Sequence, residues 1–401
     1  MHYNAPMRCF FLTLLIASIS QAQVLTGLDV LEQSKFQPLD GRRVGIITNH
    51  TGLNRQGRHL VELLVKAPNV KVVKLFAPEH GLYGVKDEKI GDSIDEKTGL
   101  PVISLYGQHR QPTDEMLTDI DTLVFDIQDV GARYYTYIAT MGNCMSSAAK
   151  NGVRFVVLDR PNPVTGLIVD GPNPDPQHVG KFTCYGPFPV SHGMTVGELA
   201  QLFNAEYGIN ADLHVVKMDG WKRAMWWDQT GVKWVNPSPN MRSPTEALLY
   251  LAVGLLEATN ISVGRGTEIP FECFGAPWID SNQLAAALNA LRLPGLEFHP
   301  HDFTPTNTPH KIHRDQLCHG VKITVTDRDA VKPVLSGMAM GWTLERLYGE
   351  KFDDARMENL LLNRRIRDEV LKLPNVLDAE KLWIDDVNAF RKLRQKYLLY
   401  E

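Results

Sequence analysis

The stretch V-V-K-L-F-A-P-E-H-G-L-Y-G, residues 72–84, joins an apolar strand pattern to a glutamate and a histidine. The apolar run has the composition of a strand that is covered on both faces. Pro78 and Gly81 then favour a turn, so Glu79 and His80 follow the strand end directly. Open α/β sheets bind ligands outside the carboxyl ends of their strands. The stretch therefore predicts a parallel sheet with a polar site at its edge, and a solvated loop is the alternative.

Similar apolar runs recur along the first half of the chain, with helical patterns between them. The strand candidates are residues 43–49, 122–126, 154–159 and 213–216, and the helix candidates include residues 59–65 and 140–150. Alternation of strands and helices predicts an α/β fold with a doubly wound, mostly parallel sheet. Right-handed crossovers then bring all the strand ends to one edge.

Prolines interrupt regular structure at P-S-P-N-M, residues 237–241, and this segment is a candidate domain boundary. A length of 401 residues also exceeds the usual size of one domain. We therefore expect an α/β domain over residues 23–245 and a smaller α+β domain over residues 246–401.

Residues 1–22 have the three parts of a secretory signal peptide. Arg8 supplies a positive charge, residues 10–20 are largely apolar, and Ser20 and Ala22 are the small residues before a cleavage site. The apolar run is too short to span a membrane. The sequence predicts a secreted protein, periplasmic in a Gram-negative organism, and a buried N-terminal helix is the alternative.

The composition excludes several classes of function. A formal net charge of -4 gives no basic surplus for nucleic acid. The glycine-rich fingerprints of dinucleotide and nucleoside-triphosphate sites are absent, so no cofactor is expected. The four cysteines after residue 22 show no metal-binding spacing. A metal site is one interpretation of the histidine-rich residues 298–313, but a proline-rich linker is favoured. Nothing in the sequence indicates an oligomeric state.

Polar side chains follow four of the predicted strands, and any ligand site at the sheet edge would use them. They are Asn49, Glu79, His80, Asp126, Gln128, Asp129, Asp159, Arg160 and Asn162. Because these loops meet at one edge, we expect one crevice. A shielded Glu79 suits proton transfer to a leaving oxygen. Glycoside cleavage usually needs a second carboxylate or a substrate group, and the candidates are Asp126, Asp129, Glu268 and Glu272.

The segment D-I-Q-D-V-G-A-R-Y-Y-T-Y, residues 126–137, is dense in groups that bind sugars. The rings of Tyr134 and Tyr137 are able to stack on a sugar face, and Arg133 is able to bind a carboxylate. The alternative is a helix start that is capped by Asp129 and has its tyrosines in the core.

Further candidates come from three short motifs. His192 lies in S-H-G-M-T, where the alternative is a capping box formed by Thr195 and Glu198. Asn240 lies in S-P-N-M, and Arg265 and Glu268 lie in V-G-R-G-T-E. An arginine between two glycines is a weak signal for a phosphate or carboxylate ligand.

Six motifs in order resemble the exo-β-N-acetylmuramidase family (NamZ-like, glycoside hydrolase family 171). They are V-G-I-I-T-N-H-T-G (44–52), F-A-P-E-H-G-L-Y-G (76–84), D-I-Q-D-V-G-A-R-Y-Y-T-Y (126–137), D-R-P-N-P-V-T-G (159–166), S-P-N-M (238–241) and S-V-G-R-G-T-E-I-P-F-E (262–272). The resemblance runs from Val44 to the C-terminus. One departure is His50, where the family pattern leads us to expect a proline.

The resemblance implies a Rossmann-like domain without a dinucleotide, a smaller C-terminal domain and a cleft at their junction. It implies removal of N-acetylmuramic acid from the non-reducing end of peptidoglycan glycans, with Glu79 as the catalytic residue. Our hypothesis is that Glu79 is the general acid and that His80 tunes or positions it. Asp126 or Asp129 would activate water, or the substrate's own acetamido group would assist.

The lactyl carboxylate of such a substrate would bind Arg133, Arg160 or Arg265. Two other classes fit the same chain. One is a periplasmic sugar- or muropeptide-binding protein without catalysis, and the other is a metal-dependent amidase.

Overall fold

A computed structural model describes residues 23–84, 91–306 and 308–401 of the protein. The predicted signal peptide, residues 1–22, lies outside the described residues. The described chain contains a seven-stranded sheet and a three-stranded sheet. No helix among the described residues is long and apolar enough to cross a membrane.

The seven-stranded sheet is formed by the first half of the chain. Its strands are β1 Arg43–Thr48, β2 Lys71–Ala77, β3 Ser93–Ile94, β4 Pro101–Ser104, β5 Thr122–Asp126, β6 Arg154–Leu158 and β7 Leu213–Val216. The spatial order is β3-β4-β2-β1-β5-β6-β7, and every pairing except β3 with β4 is parallel. The predicted α/β fold with a mostly parallel sheet is thus confirmed.

Helices cover both faces of this sheet. They are α1 Gly27–Gln33, α2 Leu60–Lys66, α3 Asp114–Leu117, α4 Thr136–Lys150, α5 Val196–Glu206 and α6 Trp227–Thr230. Successive strand side chains point to opposite faces, so Ile46 joins the apolar cluster with α1 and α2 while Ile47 joins the cluster with α4 and α5. Burial on both faces explains why these strands read as continuous apolar runs.

The sheet grows in opposite directions from β1 and β5, its central pair. β2 lies beside β1 and β6 lies beside β5, so the chain crosses to the other side of the sheet between these strands. The loops that follow β1 and β5 therefore diverge, and a crevice opens between them. The loops after β2 and β5 flank the end of β1.

The second half of the chain packs helices around a small antiparallel sheet. Its elements are α7 Pro244–Val253, β8 Cys273–Ala276, α8 Ser281–Ala290, β9 Leu296–Phe303, β10 Cys318–Val325, α9 Pro333–Tyr348, α10 Glu358–Leu361, α11 Arg364–Lys372 and α12 Ile384–Arg394. The strand order is β8-β10-β9.

The interpretation of residues 298–313 as a proline-rich linker was wrong for its first part, because β9 extends to Phe303. Proline lacks an N–H donor and is tolerated in edge strands, and β9 is an edge strand that contains Pro300.

The two halves share one apolar core, which runs from β5 and β6 through α7 to α9. The C-terminal residues also return to the first half. The Tyr400 hydroxyl donates to Asp159 Oδ2 over 2.5 Å, and the Leu399 N–H donates to Glu198 Oε1 over 2.9 Å. These contacts fix the second half against the strand ends of the first.

Candidate active site

Glu79 lies in a tight turn directly after β2. The Gly81 N–H donates to the Pro78 carbonyl over 3.0 Å, which closes the turn. His80 has φ +67°, in the left-handed region that favours glycine. Strained conformations of this kind cluster at functional sites, where surrounding contacts hold them.

His50 supports this turn from the loop after β1. Its Nε2 lies 2.6 Å from the Asn236 carbonyl oxygen, and its ring packs so closely on Gly84 that a Cβ there would overlap it. Burial lowers the pKa of His50 below its usual value. The residue that departs from the expected family pattern therefore ties the Glu79 loop to the segment around Asn236.

Two hydroxyl groups bind the Glu79 carboxylate. Thr136 Oγ1, in the first turn of α4, donates to Glu79 Oε2 over 2.5 Å. Burial and a hydrogen bond to Glu79 raise the pKa of Tyr106 to about 12. Both donors come from strand-end segments of the large sheet, so the fold itself fixes the carboxylate.

Glu79 lines a pocket of about 370 Å³ that both halves of the chain build. Four aromatic rings form one side of it. Tyr135 contacts Tyr137 and Tyr250 at centroid distances of 4.9 and 6.2 Å, and Tyr250 contacts Phe271 at 4.7 Å. Aromatic rings beside polar groups are typical of sugar-binding pockets.

The pocket lining contains two further charged residues besides Glu79, namely Arg265 and Glu257. Arg265 Nε lies 2.5 Å from Glu257 Oε1, and the guanidinium lies 5.0 Å from the Phe271 ring centroid. Gly264 and Gly266 flank the arginine with φ of +77° and +82°. A Cβ on Gly266 would lie 2.4 Å from the Thr306 carbonyl oxygen, so only glycine fits there.

Sequence models of the exo-β-N-acetylmuramidase NamZ match residues 44–245 with the N-terminal part and residues 248–400 with the C-terminal part. The peptidoglycan β-N-acetylmuramidase NamZ of Bacillus subtilis (strain 168) is 45% identical over 383 residues, which cover 94% of this chain and 92% of that protein. The chain belongs to the NamZ exo-β-N-acetylmuramidase family.

Two crystal structures of DUF1343 family proteins from Bacteroides fragilis NCTC 9343 share the fold of this NamZ family chain. The first has a TM-score of 0.87 at 38% identity and covers 94% of this chain and 99% of its own. The second has a TM-score of 0.78 at 29% identity and covers 95% and 99%.

Five of the residues predicted for the site of this NamZ family chain line the Glu79 pocket. They are Glu79, His80, Tyr134, Tyr137 and Arg265. The tyrosine hydroxyls bind the protein itself, since Tyr134 donates to the Tyr250 carbonyl and Tyr137 to the Pro237 carbonyl, each over 2.7 Å. Their contribution to the pocket is therefore the ring rather than the hydroxyl.

Asp126 and Arg160 lie elsewhere, in the crevice between β1 and β5. They form a buried ion pair with contacts of 2.5 and 2.9 Å. Asn49 Oδ1 accepts hydrogen bonds from Thr51, and Gln128 donates to the carbonyls of Asp129 and Pro161. Gln128 and Arg160 line a separate pocket of about 250 Å³. The prediction of one shared crevice was wrong, because the segment that contains residues 235–238 contributes to both pockets and lies between them.

Asp129 and His192 are buried behind the pocket wall. Asp129 Oδ2 accepts from the Gly131 N–H over 2.7 Å and lies 3.3 Å from His192 Nε2. His192 Nδ1 accepts from the Met194 N–H. Neither residue lines the Glu79 pocket, so the structure gives no support to the predicted activation of water by Asp129.

Two further candidates form hydrogen bonds with the protein itself. Asp159 accepts from the Gly197 N–H and the Thr195 hydroxyl, each over 2.8 Å. Asn162 accepts from the Val164 N–H over 3.1 Å. Thr195 also caps α5 in a capping box with Glu198, which was the alternative interpretation of that motif.

Arg133 binds backbone carbonyls of the protein and does not line the Glu79 pocket. Its guanidinium is fully buried and donates to four backbone carbonyls, those of Pro172, Phe188, Leu360 and Leu361. Asn240 is buried outside the pocket lining. Glu268, with a side chain 97% exposed, pairs with Arg242 over 3.2 Å.

Several of the residues that line the pocket were not predicted from the sequence. They include Tyr106, Thr136, Tyr250, Glu257 and His310. Thr136 lies within a quoted motif, and its position at the start of α4, facing the loop after β2, was the available signal. The others come from distant segments that carry no common pattern.

Among the described residues, no group of three or more His, Cys, Asp and Glu side chains is placed to hold a metal ion.

Proposed function

We propose that this protein is an exo-acting glycoside hydrolase that releases N-acetylmuramic acid from the non-reducing end of peptidoglycan fragments. The observation that carries the proposal is Glu79, held by two hydroxyl donors in an aromatic-walled pocket. Membership of the NamZ family supplies the substrate class. A volume of about 370 Å³ is near the low end for ligand pockets, which suits one sugar residue better than a long glycan.

In this proposal Glu79 acts as the general acid. It gives its proton to the glycosidic oxygen, and the Thr136 hydroxyl, bound to Oε2, positions the carboxyl group. Such a positioned acid typically accelerates a reaction by about 10²–10⁴-fold. His80, next to Glu79 and also in the pocket lining, positions the acid through the strained turn.

The second group of the reaction is the substrate's acetamido oxygen or a water near Glu257. Glu257 and Glu79 are the two carboxylates among the described lining residues. Glu257 is already paired with Arg265 over 2.5 Å, which favours participation of the acetamido group.

The proposal places the protein where its polymer lies, outside the cytoplasmic membrane. The signal-peptide pattern of residues 1–22 supports this location. N-terminal sequencing of the exported protein tests it, with Gln23 expected as the first residue and Met1 as the contrary result.

The proposed activity is tested with residues 23–401 and a chromogenic N-acetylmuramic acid β-glycoside, with the N-acetylglucosamine analogue as the second substrate. Wild type should release the chromophore from the muramic substrate, and Glu79→Gln should not. Glu268→Gln is the matched control, because that carboxylate is exposed and outside the pocket. No release by wild type, with muramic acid bound equally by wild type and Glu79→Gln, would instead indicate a binding protein.

A further inference from the structure

The aromatic wall of the pocket connects Glu79 to the Arg265–Glu257 pair. Tyr250 lines the same pocket as these three residues: burial raises its pKa, the negative charges of Glu257 and Glu79 raise it further, and the positive charge of Arg265 opposes them. Tyr250 contacts Phe271, over which the Arg265 guanidinium lies. Glu79 and Arg265 line the same pocket. A ligand with one side against Glu79 therefore has its other side near the Arg265 guanidinium.

Arg265 is held in one orientation before any ligand arrives. Its Nε lies 2.5 Å from Glu257 Oε1, its guanidinium lies 5.0 Å from the Phe271 ring centroid, and its neighbours Gly264 and Gly266 have φ of +77° and +82°. The side chains of Arg265 and Glu257 are only 17% and 18% exposed. A pre-oriented guanidinium loses little conformational entropy when it binds a carboxylate, and its five donors allow it to bind two carboxylates at once.

Other arginines near the site are placed differently. Arg133 is bound to backbone carbonyls, and Arg160 is paired with Asp126 in the separate crevice. Arg110 lies outside the lining residues and stacks on Tyr106 and Phe182, with its guanidinium 4.5 and 4.2 Å from their ring centroids. Among the described lining residues, Arg265 is the one arginine and there is no lysine.

We propose that Arg265 is the residue that selects muramic acid over glucosamine, by binding the lactyl carboxylate while Glu257 holds the guanidinium in place. The two sugars differ only in the lactyl ether at O3, so a muramic-specific site must recognise that group. An arginine fork matches a carboxylate in shape and charge. This assignment deepens the proposed muramidase function and rests on it for the identity of the sugar.

The test compares two ligands that differ only in the proposed contact. One is N-acetylmuramic acid, and the other is its lactamide, in which a neutral amide replaces the carboxylate. Equilibrium binding of both is measured by calorimetry on wild type, Arg265→Gln and Arg265→Lys. Arg110→Gln is the matched control, since it removes an arginine near the pocket that does not line it.

We expect wild type to bind the acid on the order of 10–100-fold more tightly than the lactamide. In Arg265→Gln this ratio should approach one, through weaker binding of the acid and unchanged binding of the lactamide. Arg265→Lys should keep part of the ratio, because it retains charge without the fork. Arg110→Gln should keep all of it. The kcat/KM ratio for the corresponding chromogenic glycosides should follow the same order.

Equal weakening of both ligands in Arg265→Gln overturns the assignment, because it indicates a general role in the pocket wall. Failure of wild type to bind either ligand overturns it as well. Selective binding of the acid without glycoside cleavage would support the Arg265 assignment while rejecting the proposed catalysis. Thermal unfolding of each variant confirms that the compared proteins are folded.

Discussion

Thr136 Oγ1 donates a 2.5 Å hydrogen bond to Glu79 Oε2. The contact joins the first turn of α4, which follows β5, to the turn that follows β2. Since β2 and β5 lie on either side of β1, the bond spans the carboxyl end of the central strand. The position of Glu79 therefore depends on the register of three parallel strands as well as on its own loop.

Thr136→Val should lower kcat by roughly 10–100-fold, because a lost hydrogen bond to a charged group is worth about 1.5–3 kcal/mol and the carboxylate is then less well placed. KM should change by less than about 2-fold, since substrate contacts remain. Steady-state kinetics on the muramic glycoside measure both. Thr140→Val is the control: its hydroxyl donates to the Thr136 carbonyl one turn away, and kcat should stay near wild type. Equal losses in the two variants would contradict the positioning role.

His80→Gly should be more stable than His80→Ala by about 1 kcal/mol, because a Cβ in the left-handed region costs roughly that amount. Both variants lack the imidazole, so the comparison isolates the backbone at φ +67°. Urea unfolding gives the difference. The same pair at His301, within β9, should show the reverse order, because glycine weakens a strand. An alanine variant as stable as the glycine variant at residue 80 would rule out strain in the turn.

Arg133→Met should reduce the free energy of unfolding by roughly 3 kcal/mol, since four buried carbonyls lose a charged donor. Binding of muramic acid to the folded variant should be unchanged. Arg365→Met, an exposed arginine paired with Glu369 one turn along its helix, should cost less than about 0.5 kcal/mol. A selective loss of muramic acid affinity in Arg133→Met would restore the predicted ligand-binding role.

Wild type should have a higher free energy of unfolding than His50→Gln, and this advantage should decrease as the pH falls below about 6.5, the usual imidazole pKa. Burial lowers the pKa of His50 in the folded state, so the unfolded state binds the proton first and gains stability relative to the native state. His50 Nδ1 is buried without a hydrogen-bond partner, so protonation there is costly.

Urea unfolding of both proteins between about pH 5 and pH 8 measures this difference, which should change by no more than roughly 1.4 kcal/mol per pH unit. The advantage should be constant above about pH 7, where both states are neutral at this position. Other titrating groups are common to both proteins and cancel in the difference. An advantage that does not vary with pH would exclude a titrating His50.

Much of the large sheet could be predicted from the sequence. The runs ending at Thr48, Ala77, Asp126, Leu158 and Val216 are strands because each is apolar over four to seven residues and is covered on both faces. The short β3 and β4 were missed, since Ser93–Ile94 is exposed and Pro101–Ser104 is brief and only partly buried. The edge strand β9 was mistaken for a linker because of its proline.

The site was only partly predictable, as Asp126 and Arg160 illustrate. Asp126 ends β5 and Arg160 follows β6, so both lie at the expected edge, but they form an ion pair with each other apart from the Glu79 pocket. Position after a strand predicts which edge a side chain occupies, whereas the direction of the side chain depends on how each loop folds. Arg133 shows the same limit, since its carbonyl partners include residues of the second half of the chain.

The sequence by itself determined the α/β sheet, the Glu79 turn and the family. Each depends on features that are local in the sequence. Apolar runs specify buried strands, proline and glycine specify turns, and the order of the six motifs specifies the family. Only the tertiary structure decided that Thr136 binds Glu79 and that Glu257 orients Arg265 in the same pocket. Charges and hydroxyls pair over about 3 Å, and packing between distant segments, which no local pattern encodes, sets those distances.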